Sequence, residues 1–478
     1  MSYEDDQTNI LFLFPDQHRF DWLGMNPDVA VETPNIDRMA EQGVQFTNAI
    51  CPSPVCNPTR ASIASGFEYD RCGVPANRFD YPLDIPTVYQ RLRDQAGYHV
   101  MGCGKFDLTG DYNLGLSGSE DIHRWGFSDA IFNPALNNTV RRILEDINRE
   151  PRDPYTSYLD KQGLLETHID DYQKRSGVGM LSSEHPNLGF WTATFPTPIP
   201  DEAYYDNWIT RQGLRLLENS PRDRPWFLEV DFQNPHHPWD ITEDMHKWYR
   251  DPPVEFPEPT RCDLDVSSEK HQEVRRNYSA EVEHLDRCVG RFIDKLEEMD
   301  EFENTIIVYA GDHGEMLGDL GQWQKLSPLQ ASVGVPLVFS GPGIANSNQV
   351  DDPVTTLDLH ATFLDIAGIT PPASIDSRSM LSYLKGNTDH HRDFVYSGLS
   401  SWRLVYDGRY KLIKGYDPAL RHESVYEPMY AARENMKRRQ KEREVILYDV
   451  EQDEYTNRRD RHPEVVERLT RYLNGVLA

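Results

Sequence analysis

Residues 9 to 17 read NILFLFPDQ, from Asn9 to Gln17. An apolar run this short and unbroken, rather than alternating, predicts a strand covered on both faces, and Pro15 closes it. Working outward, Thr33 to Gln42 reads as a helix, with Thr33 as N-cap and Pro34 at its first position. Gly43 ends it, and VQFTNAI follows as a strand. Thr87 to Ala96 reads as a helix, HVMGCG as a strand, Trp226 to Phe232 as a second buried strand, and Ser279 to Met299 as a long amphipathic helix. TIIVYAG, Val335 to Ser340 and a helix over Thr355 to Ala367 continue the alternation. This pattern predicts an α/β fold, a large and mostly parallel central sheet sandwiched by helices.

Residues 110 to 205, rich in Asn, Asp, Pro and Tyr, read as a long irregular insertion. Beyond about residue 375 the pattern changes. WRLVYDGRYKLIKG predicts a hairpin turning at Asp407-Gly408, EVILYDV one more strand, and Pro463 to Leu477 a terminal helix. The division expected is a large α/β domain over 1–375 and a small C-terminal α+β subdomain with an antiparallel sheet over 376–478. The basic run at residues 437–441 reads as a solvated helix face.

The chain has 478 residues and a net charge of −29. That charge argues against nucleic acid and anionic membranes as partners, and requires any anion site to be a local basic pocket. No apolar run reaches the ~18 residues of a spanning helix. The first 14 residues lack a basic n-region and a cleavage site. The chain as written is therefore expected in the cytoplasm, or in the periplasm or outside the cell if a signal has been removed. Six cysteines without CxxC spacing speak against a disulfide or zinc framework.

Ligands in open α/β sheets gather at the carboxyl ends of strands. Asp16 and Gln17 follow the first strand, Asp312 and His313 follow TIIVYAG, and His236 and His237 follow WFLEVDF. Carboxylates with an amide oxygen suit Ca²⁺ or Mg²⁺ better than zinc, although one Asp after a strand is equally often a turn cap. Cys56 lies in CPSPVCNPTR, residues 51 to 60. A lone cysteine is commonly a small buried hydrophobe. Here, a helix starting near Thr59 and ending at Gly66 would bring Cys56 and Arg60 to its N-terminus, an anion cradle.

Cys56-Asn57-Pro58-Thr59-Arg60 resembles the C-x-P-x-R signature of the type I sulfatases of the alkaline-phosphatase superfamily, with Thr59 where Ser is usual. NILFLFPDQHRFDWLG, VYAGDHGEMLGDLGQWQK, TLDLHATFLDIAGI, GRYKLI and LYDVEQDEYTNRRD resemble further family segments, in family order, over residues 9 to 460. The resemblance implies an alkaline-phosphatase-like fold and sulfate-ester hydrolysis. It implies that Cys56 is oxidised to formylglycine by a formylglycine-generating enzyme. It implies a metal, usually Ca²⁺ with Mg²⁺ as the alternative, held by Asp16, Gln17, Asp312 and His313. Arg60 would then hold the aldehyde hydrate, Lys105 and Lys325 would contact sulfate, and His236 or Lys325 would protonate the leaving alcohol. Asp107 stands where the family has histidine, and Asp107, His237 and Trp239 become candidates for substrate contact. Trp22, Trp191, Trp239 and Tyr81 are either core or sugar-stacking aromatics. The expected substrate is a small sulfated molecule, a sugar at a chain end before an aryl sulfate. The competing readings are a phosphodiesterase or phosphonate monoester hydrolase on the same scaffold, and a non-catalytic anion-binding protein with an unconverted Cys56.

Overall fold

The structure is a computed structural model describing residues 8–110, 122–178, 188–249, 253–261, 266–346, 348–388, 390–418 and 445–477. Its strands are β1 (Asn9–Pro15), β2 (Gly43–Phe46), β3 (Ala49–Ile50), β4 (His99–Gly104), β5 (Asp129–Phe132), β6 (Trp226–Phe232) and β7 (Thr305–Ala310). They continue with β8 (Leu337–Ser340), β9 (Asn348–Val350), β10 (Val354–Thr355), β11 (Val395–Leu399), β12 (Trp402–Tyr406), β13 (Tyr410–Lys414) and β14 (Val445–Asp449). Eight form the central sheet in the order β5-β4-β6-β1-β7-β8-β2-β9, in which β8 alone runs against its neighbours.

The first strand shows why an unbroken apolar run was needed. Ile10, Phe12 and Phe14 enter one hydrophobic cluster, while Leu11 and Leu13 enter another on the opposite face. Each fully buried side chain of this size contributes about 1.5–3 kcal/mol. Helices Cys56–Ser65, Val88–Ala96 and Leu359–Ile366 pack together on the first face; helices Pro34–Glu41, Tyr205–Glu218 and Ser268–Glu298 pack on the second. No described helix is long and apolar enough to cross a membrane.

Several elements differ from expectation. The long helix begins at Ser268 rather than Ser279. Its first turns are polar, so no apolar period marks them. They are held instead by a Ser267 cap and by Arg275 and Arg276, which donate to the carbonyls of Pro257 and Val254. VQFTNAI divides into β2 in the central sheet and β3, which pairs with β10. The stretch expected to be irregular supplies edge strand β5 and helices Leu136–Glu145, Pro154–Lys161 and Leu165–Ser176. These bury Val140, Ile143, Leu159 and Ile169 in the second cluster. Its Asn, Asp and Pro residues partly serve as caps: Asp153 accepts from Thr156 N, with Pro154 at the first helical position.

The C-terminal sheet is antiparallel in the order β11-β12-β13-β14, covered by helix Pro463–Val476. Its hairpin turns at Asp407-Gly408, where Asp407 accepts from the amides of Arg409 and Tyr410. Residues 437–441 lie outside the described residues. This sheet also braces the loops above the main sheet. Gly398 N donates to Pro52 O (3.0 Å) and Trp402 Nε1 donates to Leu326 O (3.1 Å).

Gly104 ends β4 at φ +105°, and a Cβ there would lie 2.0 Å from the Asp231 carbonyl oxygen. Gly104→Ala should therefore cost at least about 2 kcal/mol from backbone strain alone. It should also displace the next residue, Lys105, whose amide donates to that same carbonyl. Denaturant unfolding checks this; unchanged stability would contradict it.

Candidate active site

Three strands and one helix converge at the carboxyl edge of the sheet. β1 delivers Asp16 and Gln17, β7 delivers Asp312 and His313, and β4 delivers Lys105. The amides of Gln17 and His313 both donate to Asp312 Oδ1, at 2.9 and 2.8 Å, which locks the two strand ends together. The helix begins at Cys56 itself, three residues earlier than its expected start near Thr59, so the cysteine occupies its first position. The Thr59 hydroxyl donates to Ser53 O and pins this turn.

The Cys56 Sγ stands among the polar groups. It lies 3.0 Å from Lys325 Nζ, 3.4 Å from Lys105 Nζ, 3.3 Å from His313 Nε2 and 3.7 Å from Asp16 Oδ1. Lys105 also donates to Asp16 and lies 3.1 Å from Asp107. Lys325 Nζ is 3.0 Å from His313 Nε2. Arg60, one helical turn beyond Cys56, is turned toward the carboxylates. Its Nε donates to Asp312 (3.1 Å) and its Nη1 to Lys105 O (2.7 Å) and Asp231, while its guanidinium lies over Phe14.

The protein's own charges set the protonation states. Burial opposes ionisation of Asp16, but Lys105, His236, Lys325 and His313 outweigh it and hold the carboxyl well below its usual range. Burial likewise opposes charge on Lys105 and Lys325; the carboxylates of Asp107 and Asp16 overcome it for Lys105, and that of Asp16 for Lys325, so both ammonium groups persist. Burial pushes His313 down to about 4, leaving a neutral imidazole able to ligate a metal. Burial pushes the Cys56 thiol up to about 11, so the unmodified side chain is a thiol rather than a nucleophilic thiolate.

A divalent ion fits these residues. Ligand atoms of Asp16, Cys56, Asp312 and His313 all lie within 4.8 Å of one another. Gln17 Nε2 donates to Glu315, which leaves Gln17 Oε1 buried and without a partner among the described residues. Two carboxylates, an amide oxygen and an imidazole make a set dominated by hard oxygens.

His236 Nδ1 lies 2.7 Å from His237 O, which fixes that nitrogen as the N–H and leaves Nε2 for other partners. Its ring stacks on His237 with centroids 4.1 Å apart. His237 is in turn edged by Phe190 and Trp191 and contacted by Gln324, the neighbour of Lys325. Trp239 is placed behind this layer. It is 1% exposed, its indole N–H donates to Pro235 O, and it packs on Tyr278 and Trp323. Asp107 is buried beside Lys105 at φ 50°. Trp22, Trp191 and Tyr81 are also buried.

Sequence reasoning missed Asp231, which accepts from Arg60, and Glu315. Glu315 accepts from Gln17 Nε2, Leu317 N (2.9 Å) and Gln324 N (2.6 Å), and so ties the β1 loop to the loop carrying Lys325. Its place two residues after His313 was the available signal.

Residues 8–369 match the family described as Sulfatase, and residues 318–427 match the C-terminal region of N-sulphoglucosamine sulphohydrolase. An arylsulfatase of Clostridium perfringens is 26% identical over 424 residues, covering 82% of this chain and 81% of its own. A choline-sulfatase of Rhizobium meliloti is 30% identical over 389 residues, covering 76% and 68%. Among solved structures, the phosphonate monoester hydrolase of Agrobacterium radiobacter superposes with a TM-score of 0.75 at 20% identity, covering 98% of this chain and 95% of that one. A protein solved with its substrate D-glucosamine-2-N,6-O-disulfate superposes with a TM-score of 0.71 at 19% identity, covering 98% and 97%. With the family match spanning the central sheet and every strand end just described, the chain belongs to the sulfatase family of the alkaline-phosphatase superfamily and is a sulfuric ester hydrolase.

Proposed function

We propose that this enzyme hydrolyses sulfate monoesters of a small substrate, a sulfated sugar before an aryl sulfate, through a formylglycine made from Cys56 by a formylglycine-generating enzyme. Asp16, Gln17, Asp312 and His313 would hold a divalent ion, Ca²⁺ with Mg²⁺ as the alternative. The observation that carries the reading is the position of Cys56 Sγ, within 3.4 Å of two lysine ammonium groups at the start of a helix. When bound, the ion supplies Lewis acidity at the reacting oxygens, and the hydrated aldehyde supplies a hydroxyl nucleophile.

The chain's own side chains do the rest. Lys105 and Lys325 flank the reacting position, neutralise the sulfuryl oxygens and fix their orientation. Burial keeps those ammonium groups out of bulk water, which strengthens them as partners. Arg60 holds the Asp312 carboxylate and the Lys105 backbone in register. His236 delivers a proton to the leaving oxygen. Burial, then His237 and Lys325, push its pKa well below the ordinary value, so the resting imidazole is neutral and must take up a proton as substrate binds before it can pass one to the leaving oxygen.

His236→Ala should then lower turnover of an alkyl or sugar sulfate by about 10²–10³-fold, and of an aryl sulfate with a good leaving group by less than about tenfold. Equal losses on both would remove His236 from this role. The substrate class is tested with a panel of an aryl sulfate, choline sulfate, a 6-O-sulfated monosaccharide, an aryl phosphonate monoester and a phosphodiester. The proposal expects sulfate esters to lead, with a sugar sulfate above the aryl sulfate. A kcat/KM for the phosphonate about 100-fold above every sulfate would replace it with the phosphonate reading, whose support is the fold likeness to the phosphonate monoester hydrolases.

A further inference from the structure

A chain of net charge −29 needs a local basic pocket for any anion, and a second such pocket lies away from Cys56. A cavity of about 1200 Å³ opens beside the C-terminal sheet. Arg71, Arg378, Arg392, Arg403, Arg471 and Lys414 line it, against the three acids Glu68, Asp70 and Asp376. Helix Cys56–Ser65 joins the two places: Cys56 is its first residue, and the segment from Glu68 onward, just past Gly66, forms the cavity wall. Ten residues at a rise of ~1.5 Å each put roughly 15 Å between the helix ends.

The wall is built so that one guanidinium remains available. Asp376 N and Ser377 N donate to Gly66 O, which fastens residues 376–378 to the helix end. Asp358 is saturated: Arg392 forks onto it, and it also accepts from Arg378 N (2.7 Å) and meets His391 Nε2 (2.8 Å). The exposed Arg378 side chain therefore has no hydrogen bond or ion pair with a described residue, and it sits in the field of Arg392, whose like charge lowers its pKa. Facing the same space, Glu68 is 7% exposed and its Oε2 has no partner among the described residues. Burial, only partly opposed by Arg392, pushes that carboxyl up to about 8, so near neutrality it keeps a proton to donate. Phe394 stacked on Tyr472, with centroids 4.2 Å apart, adds an aromatic wall.

We propose that this cavity is a second oxyanion site, remote from the catalytic cysteine, in which Arg378, beside the positive charge of Arg392, grips sulfate or the sulfate group of an ester and Glu68 donates to it. Crystals of the mature enzyme soaked in selenate should show selenium within hydrogen-bond reach of Arg378, and the same peak in Cys56→Ala. Equilibrium dialysis with labelled sulfate should count two sites per chain in the wild type and one in Arg378→Glu. The variant should keep kcat/KM for an aryl sulfate within about twofold. Lys414→Glu, a second charge reversal on the cavity wall, should weaken the second site at least tenfold. A sulfated monosaccharide binding there at least tenfold tighter than inorganic sulfate assigns the ester as ligand, and equal affinities assign the free anion; both support the site. Selenium confined to the region of Cys56 would overturn the proposal. So would a single sulfate site that Arg378→Glu leaves unchanged, or a crystal peak without a second site in solution, the mark of an adventitious ion only. Because binding is read without turnover, failure of the Cys56 chemistry leaves this test intact.

Discussion

Cys56→Ala is expected to lower kcat for sulfate-ester hydrolysis by about 10⁵-fold or more, the scale on which enzymes lose activity when a covalent nucleophile is removed. The structure argues that little else should change. Alanine suits the first position of helix Cys56–Ser65. Lys105 and Lys325 stay charged, because Asp107 and Asp16 still face the first and Asp16 the second. An anion should therefore still bind, and sulfate should inhibit or protect the variant within severalfold of the parent. Single-turnover kinetics with sulfate protection against thermal unfolding separates the two effects. A variant retaining a percent of parental kcat would mean that another group attacks sulfur.

Arg60→Ala should be the most damaging change that does not touch the nucleophile. Its guanidinium is 3% exposed and joins Asp312, Asp231 and the carbonyl of Lys105. Removing one partner of a buried ionic network strands the others, at a cost of roughly 3–5 kcal/mol. Strands β4, β6 and β7 lose their common tie, so kcat should fall together with Tm. Arg60→Lys should not restore either, because one ammonium group cannot reach three acceptors held in a planar fork's geometry. Thermal unfolding and kcat measured on both variants decide it; parental behaviour of Arg60→Lys would show that only charge matters at this position.

The sheet was legible because its strands carry their own signature. β1, β4, β6 and β7 are short apolar runs, and each ends on the polar residues that build the site. Asp16, Gln17, Asp312 and His313 stand out by the rule that ligands collect at carboxyl ends, and the structure brings Asp16, Asp312 and His313 together around Cys56, with the Gln17 amide tied to Asp312. His236 stood out by the same strand-end rule, but its role needed the family resemblance, as Lys105 and Lys325 did altogether, because a lysine after a glycine or a glutamine has no local pattern that points inward.

What the sequence hid was held by tertiary contacts rather than by period. The early turns of helix Ser268–Glu298 rest on arginine-to-carbonyl bonds. β5 joins the sheet edge from a stretch whose polar composition reads as loop. Trp239 offered a plausible sugar platform in the sequence, yet its ring is enclosed by Tyr278 and Trp323, which no spacing could reveal. Glu315 acts through Gln17 and two loop amides, a role visible only once the loops are in place.

Sulfate-ester hydrolysis depends most on the chemical state of residue 56, and mass spectrometry of the Cys56-containing peptide from catalytically active enzyme measures it directly. Conversion of the thiol to an aldehyde gains an oxygen and loses hydrogen sulfide, a mass about 18 Da lower than that of the cysteine peptide. The peptide from active enzyme should carry this lower mass, with the converted fraction rising in step with specific activity. Full sulfatase activity in protein whose Cys56 remains an alkylatable thiol would contradict it.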